Sequence, residues 1–251
     1  MRKFQYFAPA LLLSLVACQN AGVNGTINPE IFAGSRDLVS SEITGSIKPV
    51  EISNVKDANA SKIVINSYRP PKVGTVFGWR NNWASLEPKL VYRVASLNDK
   101  FDGKPAIRFE AIEGTGKGAK TYYDLQNSNL VGHKDKSGKP LVTYQKVENR
   151  LKFPMRPGDK WVANWQYLDH NSNKVQKGGG VVNVIGVELL STDAGRFKTM
   201  KIRLPLPASA GRGMRHHIWY SPKLGIIVRE QISNNTFSWV KVIERVELTK
   251  G

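Results

Sequence analysis

Two short stretches of this chain combine glycines with closely spaced cations. Gly116-Lys117-Gly118-Ala119-Lys120 and Gly211-Arg212-Gly213-Met214-Arg215 share one pattern, and aromatic pairs follow, Tyr122-Tyr123 in one case and Trp219-Tyr220 in the other. Glycine bares backbone N–H groups and admits positive φ, while Lys and Arg supply charge-assisted hydrogen bonds to phosphate or carboxylate. These residue types support anion binding, with Lys117, Lys120, Arg212 and Arg215 as the ligands. His216, inserted just after the second loop, would add positive charge in an acidified surrounding. The plainer alternative is a pair of solvated hairpin loops kept soluble by their charge.

Patterns for catalysis are sparse. The sequence has no Gly-x-Ser-x-Gly elbow and no His-Glu-x-x-His. Its histidines are His133, His170, His216 and His217. The last two would point to opposite faces of a strand and so chelate poorly, and Asp169-His170 reads as turn chemistry. Gly114–Thr121 (GTGKGAKT) superficially resembles a phosphate loop, but it lacks the Gly-Lys-Thr ending and lies between strands rather than before a helix. We expect no catalytic residue, no metal and no cofactor.

The elements that carry these residues read as strands. Leu90-Tyr92-Val94 alternates with Val91-Arg93-Ala95, Ile107-Phe109-Ala111 with Arg108-Glu110, and Lys198-Met200-Ile202-Leu204 with Thr199-Lys201-Arg203. Tyr122–Leu125, Leu130-Val131, Leu141–Val147, Ile218–Tyr220, Gly225–Ile232 and Phe237–Leu248 complete the set, and Lys62–Ile65 reads as an edge strand. Val181–Leu190 is apolar on both faces, as in a central strand or one buried on both sides. No stretch is amphipathic at helical spacing for more than two turns. The expected fold is all-β, an antiparallel curved sheet or an open barrel or sandwich.

Matched features recur in the same order in both halves: Trp79 and Trp83 against Trp161 and Trp165, Gly103 against Gly195, the basic loops, and the aromatic pairs. We read two similar halves, 68–150 and 151–251, of one β domain at 68–251. Shared turns and alternation between any two β-meanders are the plainer explanation. Trp79, Trp161 and Trp219 read as core, while Trp83, Trp165 and Trp239 sit among polar neighbours and are candidates for a cleft or rim. Lys146 and Lys241 read as scattered surface lysines.

The formal charge is +17; residues 1–17 carry +2 and residues 18–67 carry −1, which leaves +16 on the β domain. Anionic partners follow from that surplus. Arg2-Lys3 and the apolar run Phe7–Val16 have the form of a secretory leader, too short for a permanent membrane span. Leu15-Val16-Ala17-Cys18 resembles the bacterial lipoprotein signal, which implies a leader at 1–17 and acylation (palmitate) at Cys18, the sole cysteine. Gln19 stands where an aspartate would commonly mean inner-membrane retention, so the resemblance implies the periplasmic face of the outer membrane. Residues 18–67, rich in Asn, Ser, Gly, Thr and Ala, read as a flexible tether. An exported chain has no nucleic-acid partner, and the sequence names no partner protein.

The run Trp219-Tyr220-Ser221-Pro222-Lys223-Leu224-Gly225-Ile226-Ile227-Val228-Arg229-Glu230, after the turn Asp193-Ala194-Gly195-Arg196-Phe197, resembles a motif of uncharacterised exported bacterial β-sheet domains. The resemblance covers roughly residues 155–232 and brings no activity with it. A more distant likeness, to the curved-sheet lipoprotein carriers of the periplasm, leaves two functions open. One is non-catalytic binding of an anionic envelope polymer or lipid, or an assembly role, with the membrane reached through the anchor. The other is that of a carrier or receptor for an apolar ligand, a lipid, held in a curved-sheet cavity. A large cavity lined by Phe, Trp and Leu would favour the carrier; a filled core with charge gathered at one end would favour the binder.

Overall fold

The computed structural model describes residues 51–54, 62–82, 89–114, 116–146, 149–206, 213–235 and 238–249. Cys18, Trp83 and Arg212 lie outside the described residues. The strands are β1 (Glu51–Asn54), β2 (Val76–Asn81), β3 (Lys89–Phe101), β4 (Lys104–Ala111), β5 (Lys120–Tyr123), β6 (Leu130–Lys134) and β7 (Pro140–Lys146). Then come β8 (Lys160–Asp169), β9 (Lys174–Thr192), β10 (Gly195–Leu204), β11 (Arg215–Ser221), β12 (Ile226–Ser233) and β13 (Ser238–Glu247). From β2 to β13 each strand pairs antiparallel with the next, and β13 returns to pair with β2. The result is a closed twelve-strand antiparallel barrel with one extra strand, β1, laid on β9. Closure satisfies backbone groups that an open sheet would leave along its edges. The described residues contain no α-helix.

Alternation sets which side chains face the centre. Met200, Ile202 and Leu204 of β10 are buried, whereas Lys201 and Arg203 face outward. Between β3 and β4, Asp102 and Gly103 both take positive φ, 51° and 76°, the combination a two-residue hairpin of the right twist requires. Two irregular segments also enter the core. Ile65 forms an isolated bridge with Met155, and both are buried with Tyr68 and Leu151 in the main apolar cluster. The run Lys62–Ile65 therefore contributes one bridge rather than a strand, and the folded part extends N-terminal to Tyr68. Gly225, at φ 70°, holds that segment close: a Cβ there would stand 2.1 Å from the Arg69 carbonyl oxygen. Gly225→Ala combines left-handed backbone strain with overpacking and should cost about 2–4 kcal/mol, read as a lower denaturant midpoint at an unchanged slope.

The tryptophans divide differently from the sequence reading. Trp165 and Trp239 are buried, at 3% and 1% exposure, while Trp79 and Trp161 are only partly so. Trp165 is accommodated because Gly178 opposite it has no Cβ; one built there would lie 1.9 Å from the indole. Nor is β9 covered on both sides. Val181 and Ile185 are half exposed on the outer surface, because a closed barrel buries only the inward face of each strand.

Strands β2–β7 and β8–β13 make two runs of six, and Tyr122 (β5) and Trp219 (β11) each fall on the fourth strand of a run. Each aromatic is flanked by the same device. Asp99 pairs with Arg108 at 2.8 Å beside Tyr122, and Glu188 pairs with Lys201 at 2.9 Å beside Trp219. Lys134 lies 5.5 Å from the Tyr122 ring centre; Lys201 and Arg229 lie 5.3 and 4.8 Å from that of Trp219. These cation–π contacts keep large aromatics covered on a surface that otherwise meets water.

Candidate functional site: a charged cavity inside the barrel

Of the loop cations, Lys117 is exposed, Lys120 opens β5 half-buried, and Arg215 opens β11 exposed. Lys120 and Arg215, at the starts of β5 and β11, lie at the same end of the barrel, and these two strands stand six steps apart around the ring, the greatest separation twelve strands permit. His216 is turned away from them. It occupies the inward side of β11, is fully buried, and its Nε2 lies 2.8 Å from Glu230 Oε1. Alternation explains this: Arg215 and His217 face out, so the residue between them faces in. Burial holds the His216 pKa below its ordinary value, opposed by Glu230 and reinforced by Arg150 and Lys241. Its Nδ1 has no hydrogen-bond partner, which suits a neutral ring donating from Nε2 and does not suit an imidazolium.

Glu230 is the centre of the charged interior. Arg150 Nη2 meets its Oε1 at 2.5 Å and Lys241 Nζ meets its Oε2 at 3.3 Å. Burial works to raise the Glu230 pKa, yet Arg150, Lys241 and His216 together outweigh it and hold the carboxyl well below its ordinary range. The group is ionised and thrice engaged, a poor general acid or base. Residues directly opposite in an antiparallel ladder share a face, and the register carries one face from Glu230 to Lys241, Lys241 to Asn81, Trp79 to Leu90, Phe109 to Thr121, and Thr121 to His133. Arg150 arrives from the connection between β7 and β8. Asn129 fixes its neighbour Leu151 through both backbone groups, each at 3.1 Å.

Arg150 and, Asn81 apart, the residues of that register line a cavity of about 90 Å³ that also meets Tyr92, Tyr123 and Ile227. Trp79, Tyr92, Tyr123 and Lys241 are half-buried there, and Lys241 Nζ stands 5.8 Å from the Trp79 ring centre. Sequence reading missed Arg150 and Glu230 and took Lys241 for a surface residue. The signal was weak: a lysine and a glutamate on the inward phase of otherwise apolar strands, visible only once the phase is known. Among the described residues no group of three or more His, Cys, Asp or Glu side chains converges to hold a metal.

No family model matches the sequence, and no curated protein matches it significantly. The chain is similar to several solved structures. An exported protein with a YmcC-like fold from Bacteroides fragilis NCTC 9343 is 18% identical, covering 73% of this chain and 100% of that one at a TM-score of 0.45. A lipoprotein from Parabacteroides distasonis ATCC 8503 is 16% identical, with coverage of 73% and 100% and a TM-score of 0.42. The hypothetical lipoprotein YmcC from Escherichia coli K12 is 9% identical, with coverage of 68% and 83% and a TM-score of 0.40.

Proposed function

We propose that this is an exported lipoprotein, acylated at Cys18 and held at the periplasmic face of the outer membrane, that binds an anionic envelope component without catalysing its reaction. The observation that carries the reading is the charge: +16 of the chain's +17 resides in residues 68–251, the region of the barrel. A surplus of that size attracts anionic polymers and headgroups over about a Debye length, roughly 8–10 Å in physiological salt. The interior cavity supports surface or headgroup binding over carriage: at about 90 Å³ it is too small for an acyl chain, and Arg150, Glu230 and Lys241 interrupt a wall otherwise built of residues such as Trp79, Leu90 and Phe109. The lipoprotein part of the proposal rests on Leu15–Cys18. The matching Asp99–Arg108–Tyr122 and Glu188–Lys201–Trp219 clusters also favour descent of both six-strand runs from one duplicated unit.

Two measurements test this. Cys18→Ser should abolish acylation and release the protein from membranes; a variant still in the outer-membrane fraction after a high-salt wash refutes the anchor. The full chain should bind vesicles containing phosphatidylglycerol, less so as salt rises, and ignore phosphatidylcholine vesicles. Equal binding to both, or to neither, refutes the anionic partner.

A further inference from the structure

We infer that the outer face of β8–β11 is a docking surface for an anionic lipid bilayer, with Lys160, Arg203 and Arg215 meeting the headgroups and Val162, Val181 and Ile185 entering the layer behind them. This rests on the anion-binding reading above and assigns it to one side of the barrel wall.

The first support is the register, which gathers the cations on one side. Directly opposed residues share a face of the sheet. Lys160 opposes Asn183, Asn183 opposes Arg203, and Arg203 opposes His217, a row across four adjacent strands. Arg215 stands two residues before His217 and so lies on the same face. Ile202, Leu204 and His216, which alternate with this row, are buried, so the row points outward. The cations act on one another's surroundings: burial first, then Lys201, His216, Arg203 and Arg215, push the His217 pKa down to about 4. Lys160, Arg203 and Arg215 form no ion pair among the described residues. Glu188, on the same outer face, does not neutralise them, because it already accepts from Lys201 at 2.9 Å and from the Trp219 N–H at 2.6 Å.

The second support is apolar. Val162 and Val181 oppose each other directly, and Ile185 follows on β9 as the extra residue where the β9–β10 ladder slips, between Val184 and Gly186. These side chains are 61%, 51% and 50% exposed. Gly186 beside them faces open space, since a Cβ built there would meet no atom within 4 Å. Single exposed aliphatics are ordinary, but adjacent ones rimmed by cations mark an interaction face. A hydrated anionic polymer would engage the cations and leave the aliphatics in water. A second copy presenting the same face would set Arg203 and Arg215 against like charges. An anionic leaflet satisfies both groups, with phosphate at the level of the cations and acyl chain beneath.

The test holds the acylated full chain in vesicles by its own anchor and reads which side of the barrel meets the bilayer. A thiol-reactive fluorophore is placed at Val181→Cys or, six strands away on β3, at the exposed Arg93→Cys. The vesicles are phosphatidylglycerol mixed with phosphatidylcholine, or phosphatidylcholine alone, with brominated acyl chains that quench a fluorophore entering the hydrocarbon. Quenching should be strong at 181 with phosphatidylglycerol, weak there without it, and weak at 93 in both. Arg203→Gln with Arg215→Gln should cut quenching at 181 at least fivefold, each cation near an anionic leaflet contributing about a fivefold factor. Removing the same charge from the exposed Lys100 and Lys104, on the β3–β4 hairpin, should change nothing. Val162→Ser with Ile185→Ser, which alters no charge, should weaken the quenching as well. Equal quenching at 181 and 93, or quenching at 181 that survives the arginine pair, would overturn this face; a salt-sensitive preference for phosphatidylglycerol would still leave the wider reading standing. Dextran sulfate binding lost with the arginine pair, without quenching at 181, would give the face to a polymer and equally overturn the bilayer. Indifference to both phosphatidylglycerol and dextran sulfate would overturn both readings.

Discussion

Glu230→Ala should lower the stability of the barrel by about 3–5 kcal/mol, because removing one member of a buried ionic group strands the rest. Arg150 Nη2, Lys241 Nζ and His216 Nε2 all converge on this carboxylate. Without it, Arg150 and Lys241 lose the carboxylate they share inside the barrel. The control is replacement of Glu230, Arg150 and Lys241 together by methionine. Exchanging a complete buried ionic group for apolar side chains of similar size is commonly neutral or stabilising by about 1–4 kcal/mol, so the triple variant should recover most of the loss. Chemical denaturation reads both. If Glu230→Ala costs less than about 1 kcal/mol, the network is solvated and the closed interior described above is wrong. Recovery in the triple variant would show that the polar interior is dispensable to the barrel.

Much of the barrel could be read from the residues, and what could not be read has a common cause. Period-2 alternation placed β3, β4, β10 and β13 because each has one wet and one dry face. Closure between β13 and β2 was not legible, since it depends on summed strand tilt and stagger rather than on any single segment. The same gap misassigned the tryptophans. Polar neighbours in sequence lie on the opposite face of a strand, so Trp165 is buried although Asn164 and Gln166 beside it are hydrophilic. The candidate site suffered most. Glycine and cation clustering is visible in a string of letters, which is why Lys117, Lys120, Arg212 and Arg215 stood out. Arg150 and Glu230 are 80 residues apart and meet only because the β7–β8 connection is drawn against the barrel core by Leu151 and Met155. His216 was misjudged by a single step of phase: one residue from the exposed Arg215, it lies on the other face.

Acid should destabilise the protein in two stages, and the order follows from which groups change affinity for protons on folding. Burial depresses the pKa of His216, with Arg150 and Lys241 adding to the effect against Glu230. Burial, followed by Lys201, His216, Arg203 and Arg215, pushes that of His217 down to about 4. As pH falls below the ordinary histidine value near 6.5, the unfolded chain binds protons that the folded one refuses, so stability falls with pH in this first stage. Each unit of depression removes about 1.4 kcal/mol at full effect, discounted for His217 because much of its ring meets water. Glu230 acts lower. Its folded pKa lies well below that of an ordinary glutamate, so its contribution is complete above about 4.5 and is lost as pH falls towards the folded value. Thermal midpoints measured from pH 8 to pH 3 should therefore be level above about 7, decline from about 6.5, and drop further below about 4.5. His216→Gln keeps an N–H donor for Glu230 and removes one titrating ring, so the upper stage should shrink while the lower one persists. A midpoint that holds level from pH 7 to pH 5 in the unsubstituted protein would mean that His216 already takes a proton in the fold. The unpartnered Nδ1 and the two cations on the same carboxylate make that outcome unfavourable.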